Sequence, residues 1–326
     1  MTTELRFIDA IHAGLQASLA ADDAVVVIGE DVTYGGPFGA TKGLADEFGR
    51  HRVRDTPISE ATVMGMATGA AVTGLRPVVE VMFVDFITLA MDQLVNHAAK
   101  LHFMSGGQLR VPLTVRVQGG VRGRFGAHHS QSLESWFTHT PGLKVVAPAF
   151  PGDAKALLEA AIADDNPVVY LEHRGLYWDK GPMHSDPVDG AVVRRPGADV
   201  TIVSYSKMVH SALAAAERLA ESGVGAEVID LRWLEPLDTA TVFESVSKTG
   251  RAVVAHEAVT RGGLGAEIAA TIQREAFAEL LAPVARVGAA FAPVAAAADL
   301  EDAFLPGLAE IERAASSLMT FGPTPA

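Results

Sequence analysis

The chain has 326 residues, 49% of them apolar, enough for about two domains of roughly 150 residues each with sizeable cores. Its formal net charge of −13 argues against a general nucleic-acid binder and against docking on an anionic membrane surface. The absence of cysteine removes disulfides, thiolate zinc sites and a cysteine nucleophile, and fits a reducing, cytoplasmic compartment.

The opening stretch MTTELRFIDAIHAGLQ carries Glu4 and Asp9 and lacks the apolar core of a signal peptide. It predicts an amphipathic helix with Ile8, Ile11 and Leu15 on one face. Residues 24–29 (AVVVIG) read as a short β-branched strand. The stretch DTPISEATVMGMATGAAVTGLRP then predicts a helix with Ser59 placed as its cap and Glu60 in its first turn. Its uncharged run, 61–75, is shorter than the ~18 residues that suggest a membrane span. A strand at 77–83, a helix at 88–104 stopped by Gly106 and Gly107, and a strand at 111–117 follow. A glycine-rich loop runs from Gln118 to Ser132. A strand at 144–148, a helix at 153–163 and a strand at 167–173 complete the alternation.

Strands alternating with helices predict an α/β fold whose mainly parallel sheet is flanked by helices. The first domain spans 1–180. Residues 181–198, with Pro182, Pro187 and Pro196, read as a linker. Alternation resumes in a second α/β domain of the same kind at 199–326, with helices predicted at 208–221, 239–248, 263–277 and 300–314. In open sheets of this class ligands gather at the carboxyl ends of strands. Glu30, Asp85, Phe86 and the glycine-rich loop occupy such ends.

Glu60 has two readings. An acid at a helix start complements the helix dipole, worth ~0.3–1 kcal/mol when exposed. Alternatively it is a working group. Gly65 and Gly69 share a face suited to close packing, and the charge-free body predicts a helix buried most of the way round. An acid at the end of a buried helix is costly without a partner or a task. The loop QGGVRGRFGAHHSQS combines glycines, two arginines and the pair His128 and His129; no further ligands stand at metal spacing around that pair. The segment AIADDNP ends a helix, leaving carbonyls beside Asp164 and Asn166 that serve either as a helix stop or as ligands for a hard cation. Gly152–Asp153 lacks the second glycine of the thiamin-diphosphate metal motif. GGLGAE lacks the third glycine of a dinucleotide fingerprint, as GEDVTYGGPFG lacks its order, which counts against a nicotinamide or flavin oxidoreductase. A binding or scaffolding subunit without catalysis is the third reading, in which Glu60 and His129 would lie far apart or be filled in by packing.

DTPISE, FVDF, DQLVNHAAKLHFMSGG, HHSQSLE, PGLKVVAP, DAKALLEAAIADDNPVV and DLRWLEPLD, in this order over almost the whole chain, resemble the β subunit of thiamin-diphosphate-dependent 2-oxo acid dehydrogenases, a group with transketolase as a wider relative. The resemblance implies a transketolase-type pyrimidine-binding domain followed by a transketolase-type C-terminal domain. It places Glu60 on a ring nitrogen of the cofactor's aminopyrimidine, Phe86 against that ring, Glu30 near the pocket and His129 facing substrate and the incoming lipoyl group. It implies a structural potassium ion at Leu113, Ala161, Ile162, Asp164 and Asn166. Without a Gly-Asp-Gly motif here, the diphosphate and its Mg2+ fall to a partner α subunit, in an assembly of two α and two β chains that docks a lipoyl acyltransferase core. The small 2-oxo acid substrate is expected to be pyruvate, with branched-chain 2-oxo acids and acetoin as alternatives. The segment FAPVAAAADLEDAFLP departs from the family in lacking an aromatic after the proline, which bears on acyltransferase docking.

Overall fold

The computed structural model describes residues 4–183 and 186–321; His184 and Ser185 of the expected linker, and the outermost residues of both expected domains, lie outside the described residues. The chain divides into two compact units. One takes the residues up to Gly119 together with His128–Val188. The other takes Gly120–Ala127 and the chain from Asp189 onward.

In the first unit, contiguous apolar runs make strands because a parallel strand covered on both faces has no wet side to alternate toward. Thus all five residues of β2 (Val25–Gly29) are buried. In chain order the unit contains β1 (Glu4–Arg6), α1 (Phe7–Ala21), β2, α2 (Leu44–Phe48), β3 (Val53–Asp55), α3 (Glu60–Val72), β4 (Arg76–Val81), α4 (Val84–Ile87), α5 (Ala99–Met104), β5 (Thr114–Gly119), α6 (Glu134–Thr138), β6 (Lys144–Val146), α7 (Pro151–Ala163), β7 (Val168–His173) and β8 (Lys180–Pro182). Parallel pairings set β6, β7, β5, β4, β2 and β3 side by side in that order. Apart from this sheet, β1 pairs antiparallel with β8.

Helix α1 buries Ile8, Ile11 and Leu15, the predicted face. It packs on α7, where a Cβ at Gly14 would meet the Lys155 carbonyl at 3.3 Å, a tight contact that glycine avoids. The helix predicted over 88–104 is not one regular element. It follows α4 as a 3-10 turn (Thr88–Ala90) and a π-helical stretch (Asp92–Ala98) before α5. π-Helical insertions of this kind concentrate at functional sites.

The second unit contains β9 (Val192–Arg195), β10 (Val200–Ser204), α8 (Met208–Glu221), β11 (Ala226–Asp230), β12 (Trp233–Glu235), α9 (Thr239–Thr249), β13 (Ala252–Val259), α10 (Leu264–Glu275), β14 (Ala285–Ala289), α11 (Ala298–Phe304) and α12 (Leu308–Met319). Its sheet runs β14-β13-β10-β11-β9, parallel except for β9. Its core joins Ile202, Val228 and Val253 to Ala212, Leu219 and Ile311. The single terminal helix expected at 300–314 is two helices, because Pro306 lacks the N–H a continuous helix needs. The stretch expected as linker holds the end of β8 and all of β9. Among the described residues no helix is long and apolar enough to cross a membrane.

Candidate active site

Five neighbouring strands of the first unit end on one edge of its sheet, and the residues just beyond them carry the chemistry. Glu30 follows β2, Glu60 follows β3, Phe83 and Phe86 follow β4, His129 lies beyond β5, and Arg174 follows β7. The doubly wound arrangement makes this edge the place where loops diverge and ligands enter.

Glu60 is the first residue of α3 and is half-buried. Ser59 occupies the cap position, yet its hydroxyl donates to Thr62 Oγ1 at 2.7 Å and caps no backbone N–H. The positive end of the helix dipole therefore stays directed at the Glu60 end. Glu30 is also half-buried; burial raises its carboxyl above the ordinary range, and the charges of Glu60 and Asp31 raise it further. Burial and neighbouring negative charge both disfavour the ionised form of Glu30.

Opposite in character is an aromatic wall. The His129 ring stands edge-on to Phe83, with centroids 4.6 Å apart, and to Phe86 at 5.3 Å. The two phenylalanines meet each other edge-on at 5.7 Å. The Arg174 guanidinium lies over Phe83 at 5.3 Å and donates from Nη1 to the His129 carbonyl at 3.0 Å. Gln131 Nε2 donates to Asp85 Oδ1 at 2.8 Å, tying the segment after His129 to the turn after β4. Asp85 Oδ2, Gln118 Oε1 and Ser130 Oγ are buried here without a hydrogen-bond partner. Such atoms at a strand-end cleft are places for ligand or water to complete.

A buried ion cluster underlies the wall. Arg116 donates from Nε and Nη2 to both oxygens of Glu172 (2.6 and 3.0 Å) and from Nη1 to Glu80 Oε2 at 2.6 Å. Tyr177 Oη donates to Glu172 at 2.6 Å, and its ring packs on Phe38, which in turn meets Phe83. Burial, the largest influence on Glu80, raises its carboxyl; Arg116 opposes this and Glu172 adds to it.

The expected burial of α3 is corrected. Val63, Met64, Ala67, Thr68 and Ala71 are buried, but Ala61, Thr62, Met66 and Gly69 are exposed. A position at Gly65 faces Gln93, whereas nothing lies within 4 Å of a Cβ at Gly69. A charge-free helix in a single chain therefore has an open apolar side, and Glu60 is half-buried rather than enclosed.

The five residues expected at a cation site gather at the opposite edge of the sheet, where α7 ends and β5 and β7 begin. The Leu113 carbonyl accepts from Val168 N at 2.8 Å and the Ala161 carbonyl from Thr114 Oγ1 at 3.1 Å. Arg76 Nη1 donates to the carbonyls of Ile162 (3.2 Å) and Asp164 (3.1 Å). Asp164 Oδ1 accepts from Asn166 N at 2.8 Å, and Oδ2 pairs with Lys144. Burial works against the Asp164 charge, but hydrogen bonds from Lys144 and Asn166 outweigh it and hold the carboxyl below the usual range. The donor set is all oxygen, as a hard cation requires. Among the described residues there is no group of three or more His, Asp or Glu side chains arranged to hold a metal ion.

Phe83, Arg174 and Gln131 escaped the sequence reading. Phe83 lies nearer to His129 than Phe86 does, and the FVDF spacing carried that signal, because residues three apart in a short helical turn share a side. Arg174 had no local signal, since its partner is far away in sequence.

Residues 3–179 match the family model of the transketolase pyrimidine binding domain, and residues 189–311 that of the transketolase C-terminal domain. The chain is 45% identical over 320 residues to the mitochondrial pyruvate dehydrogenase E1 component subunit beta-1 of Arabidopsis thaliana, covering 95% of this chain and 88% of that one. It is also 45% identical over 315 residues to the beta subunit of acetoin:2,6-dichlorophenolindophenol oxidoreductase from Bacillus subtilis, covering 91% and 92%. Among solved structures, a split-gene transketolase described as an inactive beta4 tetramer superposes with a TM-score of 0.78 at 22% identity, covering 97% of this chain and 98% of that one, a likeness of fold.

Proposed function

We propose, from the premise that this chain belongs to the family of β subunits of thiamin-diphosphate-dependent 2-oxo acid dehydrogenases, that it forms the pyrimidine-binding half of a site completed by an α subunit. Together the two chains decarboxylate a 2-oxo acid, pyruvate in the first instance, and pass the acyl group to lipoyl. The observation that carries this reading is the placing at one sheet edge of the Glu60 and Glu30 carboxyls, the charge of Glu60 bearing on Glu30, with the Phe83–Phe86–His129 wall beside them in the strand order.

The chemistry supplied by thiamin diphosphate, when bound, is an acidic ring carbon and an electron sink for decarboxylation. Glu60 would hold the cofactor by accepting a hydrogen bond from its pyrimidine ring, and a half-dry carboxylate would make that bond stronger than a solvated one. Glu30, whose carboxyl is raised by burial and by the charges of Glu60 and Asp31, brings a second carboxyl to the same sheet edge. Phe86 would offer a ring for the pyrimidine to pack against. His129, steadied by two aromatic edges and by Arg174 on its carbonyl, presents an imidazole to substrate and lipoyl as a proton carrier. Asp85 Oδ2, Gln118 Oε1 and Ser130 Oγ are unsatisfied groups that suit a polar occupant.

The diphosphate and its Mg2+ fall to the α subunit, because this chain has no Gly-Asp-Gly sequence. The open side of α3, with Met66 and Gly69, supports an α or β neighbour at that place, as do the exposed Ile58, Leu89 and Phe103. A potassium ion at Leu113, Ala161, Ile162, Asp164 and Asn166 would use carbonyl lone pairs that the present donors leave over, next to the Arg76 guanidinium. Exchange of sodium for potassium at fixed ionic strength is expected to raise the melting temperature; an identical temperature in both salts would assign this corner to Arg76 and Lys144 alone.

Acetoin is the second reading, favoured by an identity to the acetoin enzyme's subunit as high as that to the pyruvate one. Co-expression with its α partner, followed by assays of pyruvate, branched-chain 2-oxo acids and acetoin with and without thiamin diphosphate and Mg2+, tests both. Activity on none of them by an assembled, cofactor-loaded complex would overturn the assignment.

A further inference from the structure

Of the DTPISE stretch the site uses the last residue, Glu60, and leaves the first, Asp55, without a task. Asp55 ends β3 and stands opposite Gly29, the end of β2, in the parallel register. Here the two segments part, one into Glu30 and the other toward Glu60. The start of the first is tightly set: a Cβ at Gly29 would lie 2.8 Å from the Glu80 carbonyl, so β2 presses on β4 just where Glu30 begins. Thr56 N donates to the Gly29 carbonyl at 3.0 Å and holds the second segment against the first.

Beyond Glu30 the chain turns at once. Asp31 sits at φ +56°, a left-handed conformation that residues with a Cβ adopt rarely. Its carbonyl accepts from Tyr34 N at 2.9 Å and from Gly36 N at 3.0 Å. Such a backbone persists where its surroundings over-determine it, and Asp55 is part of those surroundings. Asp55 Oδ1 accepts from Thr33 N at 2.8 Å, and Oδ2 accepts from the Thr33 hydroxyl. Arg50 Nη1 donates to Thr33 Oγ1 at 3.5 Å, which leaves the hydroxyl hydrogen to Asp55. Thr41 Oγ1 donates to the Val32 carbonyl at 2.7 Å. Glu30 is thus bracketed. The ties at Gly29 and at Thr33 both run to the end of β3, from which the chain leads to Glu60. Asp55 itself is exposed, so its bonds compete with water and add little to stability; what they fix is direction.

We propose that Asp55 is a positioning residue for Glu30: by gripping Thr33 it sets where the Glu30 carboxyl stands relative to Glu60. The proposal rests on the reading of this sheet edge as the pyrimidine site. It adds that DTPISE acts at both ends, Glu60 toward the cofactor and Asp55 through Thr33 on Glu30.

The test uses the assembled α–β enzyme with thiamin diphosphate, Mg2+ and pyruvate. Asp55→Ala removes both acceptors. Asp55→Asn keeps the shape but presents one acceptor where Thr33 offers two donors. Thr33→Val keeps the backbone bond and loses the hydroxyl. Asp55→Ala is expected to raise hydrogen exchange over 31–36 and to leave the melting temperature of the complex nearly unchanged. It is expected to lower kcat by roughly tenfold with KM for pyruvate little changed, and to weaken thiamin diphosphate binding, read by calorimetry, by about fivefold. Asp55→Asn and Thr33→Val are expected to fall between Asp55→Ala and the wild type in kcat, a graded rescue that a merely structural role would not give; if Asp55→Ala did not assemble, these two variants would decide. Unchanged exchange over 31–36, or raised exchange beside a wild-type kcat and cofactor affinity, would overturn the proposal. Glu60→Gln is measured alongside. Lost activity there with a wild-type rate in Asp55→Ala overturns this proposal alone, whereas a wild-type rate in Glu60→Gln overturns the reading of the site and the proposal with it.

Discussion

The His129 imidazole meets the Phe83 ring at 4.6 Å with their planes at 87°, so an aromatic ring contact helps to orient the histidine. Edge-on aromatic contacts are worth about 0.5–1.5 kcal/mol beyond area burial, enough to favour one rotamer strongly. Phe83→Leu keeps the volume nearly constant and removes the contact. The expected result is a fall in kcat for lipoyl acylation of about tenfold, with the complex still assembled. Steady-state kinetics on the reconstituted enzyme check this; an unchanged kcat would show that Phe83 serves only the core.

Arg116 neutralises two buried glutamates, and its removal leaves both uncompensated. Arg116→Met is expected to destabilise the first unit by about 3–5 kcal/mol. Chemical denaturation of the isolated chain measures it. Adding Glu172→Gln is expected to recover part of the loss, because one of the two stranded charges goes with it.

In the second unit, His256 is fully buried; its Nδ1 lies 3.0 Å from the Ala258 carbonyl, and Nε2 has no partner. Burial, the largest influence, lowers its pKa from 6.5 to about 4. The folded state thus binds fewer protons than the unfolded state between these values. Stability from this group is complete above the unfolded pKa and is lost as pH falls from about 6.5 toward about 4, up to roughly 3 kcal/mol in all. Denaturation midpoints across that range should drop less steeply for His256→Asn than for the wild type. Equal slopes would mean that the imidazole is not held neutral.

The strands were legible because they are runs of β-branched residues covered on both faces: Val25–Gly29, Val168–His173 and Val200–Ser204 need no alternation to be recognised. Glu60 was legible as the acid after Ser59 at a helix start, and His129 through the loop that precedes it. The face of α3 was not. Apolar periodicity reports which residues avoid water, not what covers them, and Met66 and Gly69 are open in the single chain. Arg174 over Phe83 and Arg124 against Glu301 were not legible either, because each joins residues far apart in sequence that only the folded chain brings together. The two short strands in the supposed linker, β8 and β9, were hidden by the prolines and glycines around them.

The account depends most on the carboxylate at the head of α3. The direct measurement is 2-oxo acid decarboxylation by the assembled α–β enzyme carrying Glu60→Gln, at saturating thiamin diphosphate and Mg2+. The account predicts a loss of roughly 10²–10⁴-fold in kcat with assembly and melting temperature unchanged, since an isosteric amide keeps the shape and removes the charged acceptor. A variant that assembles, binds the cofactor and turns over near the wild-type rate would contradict it.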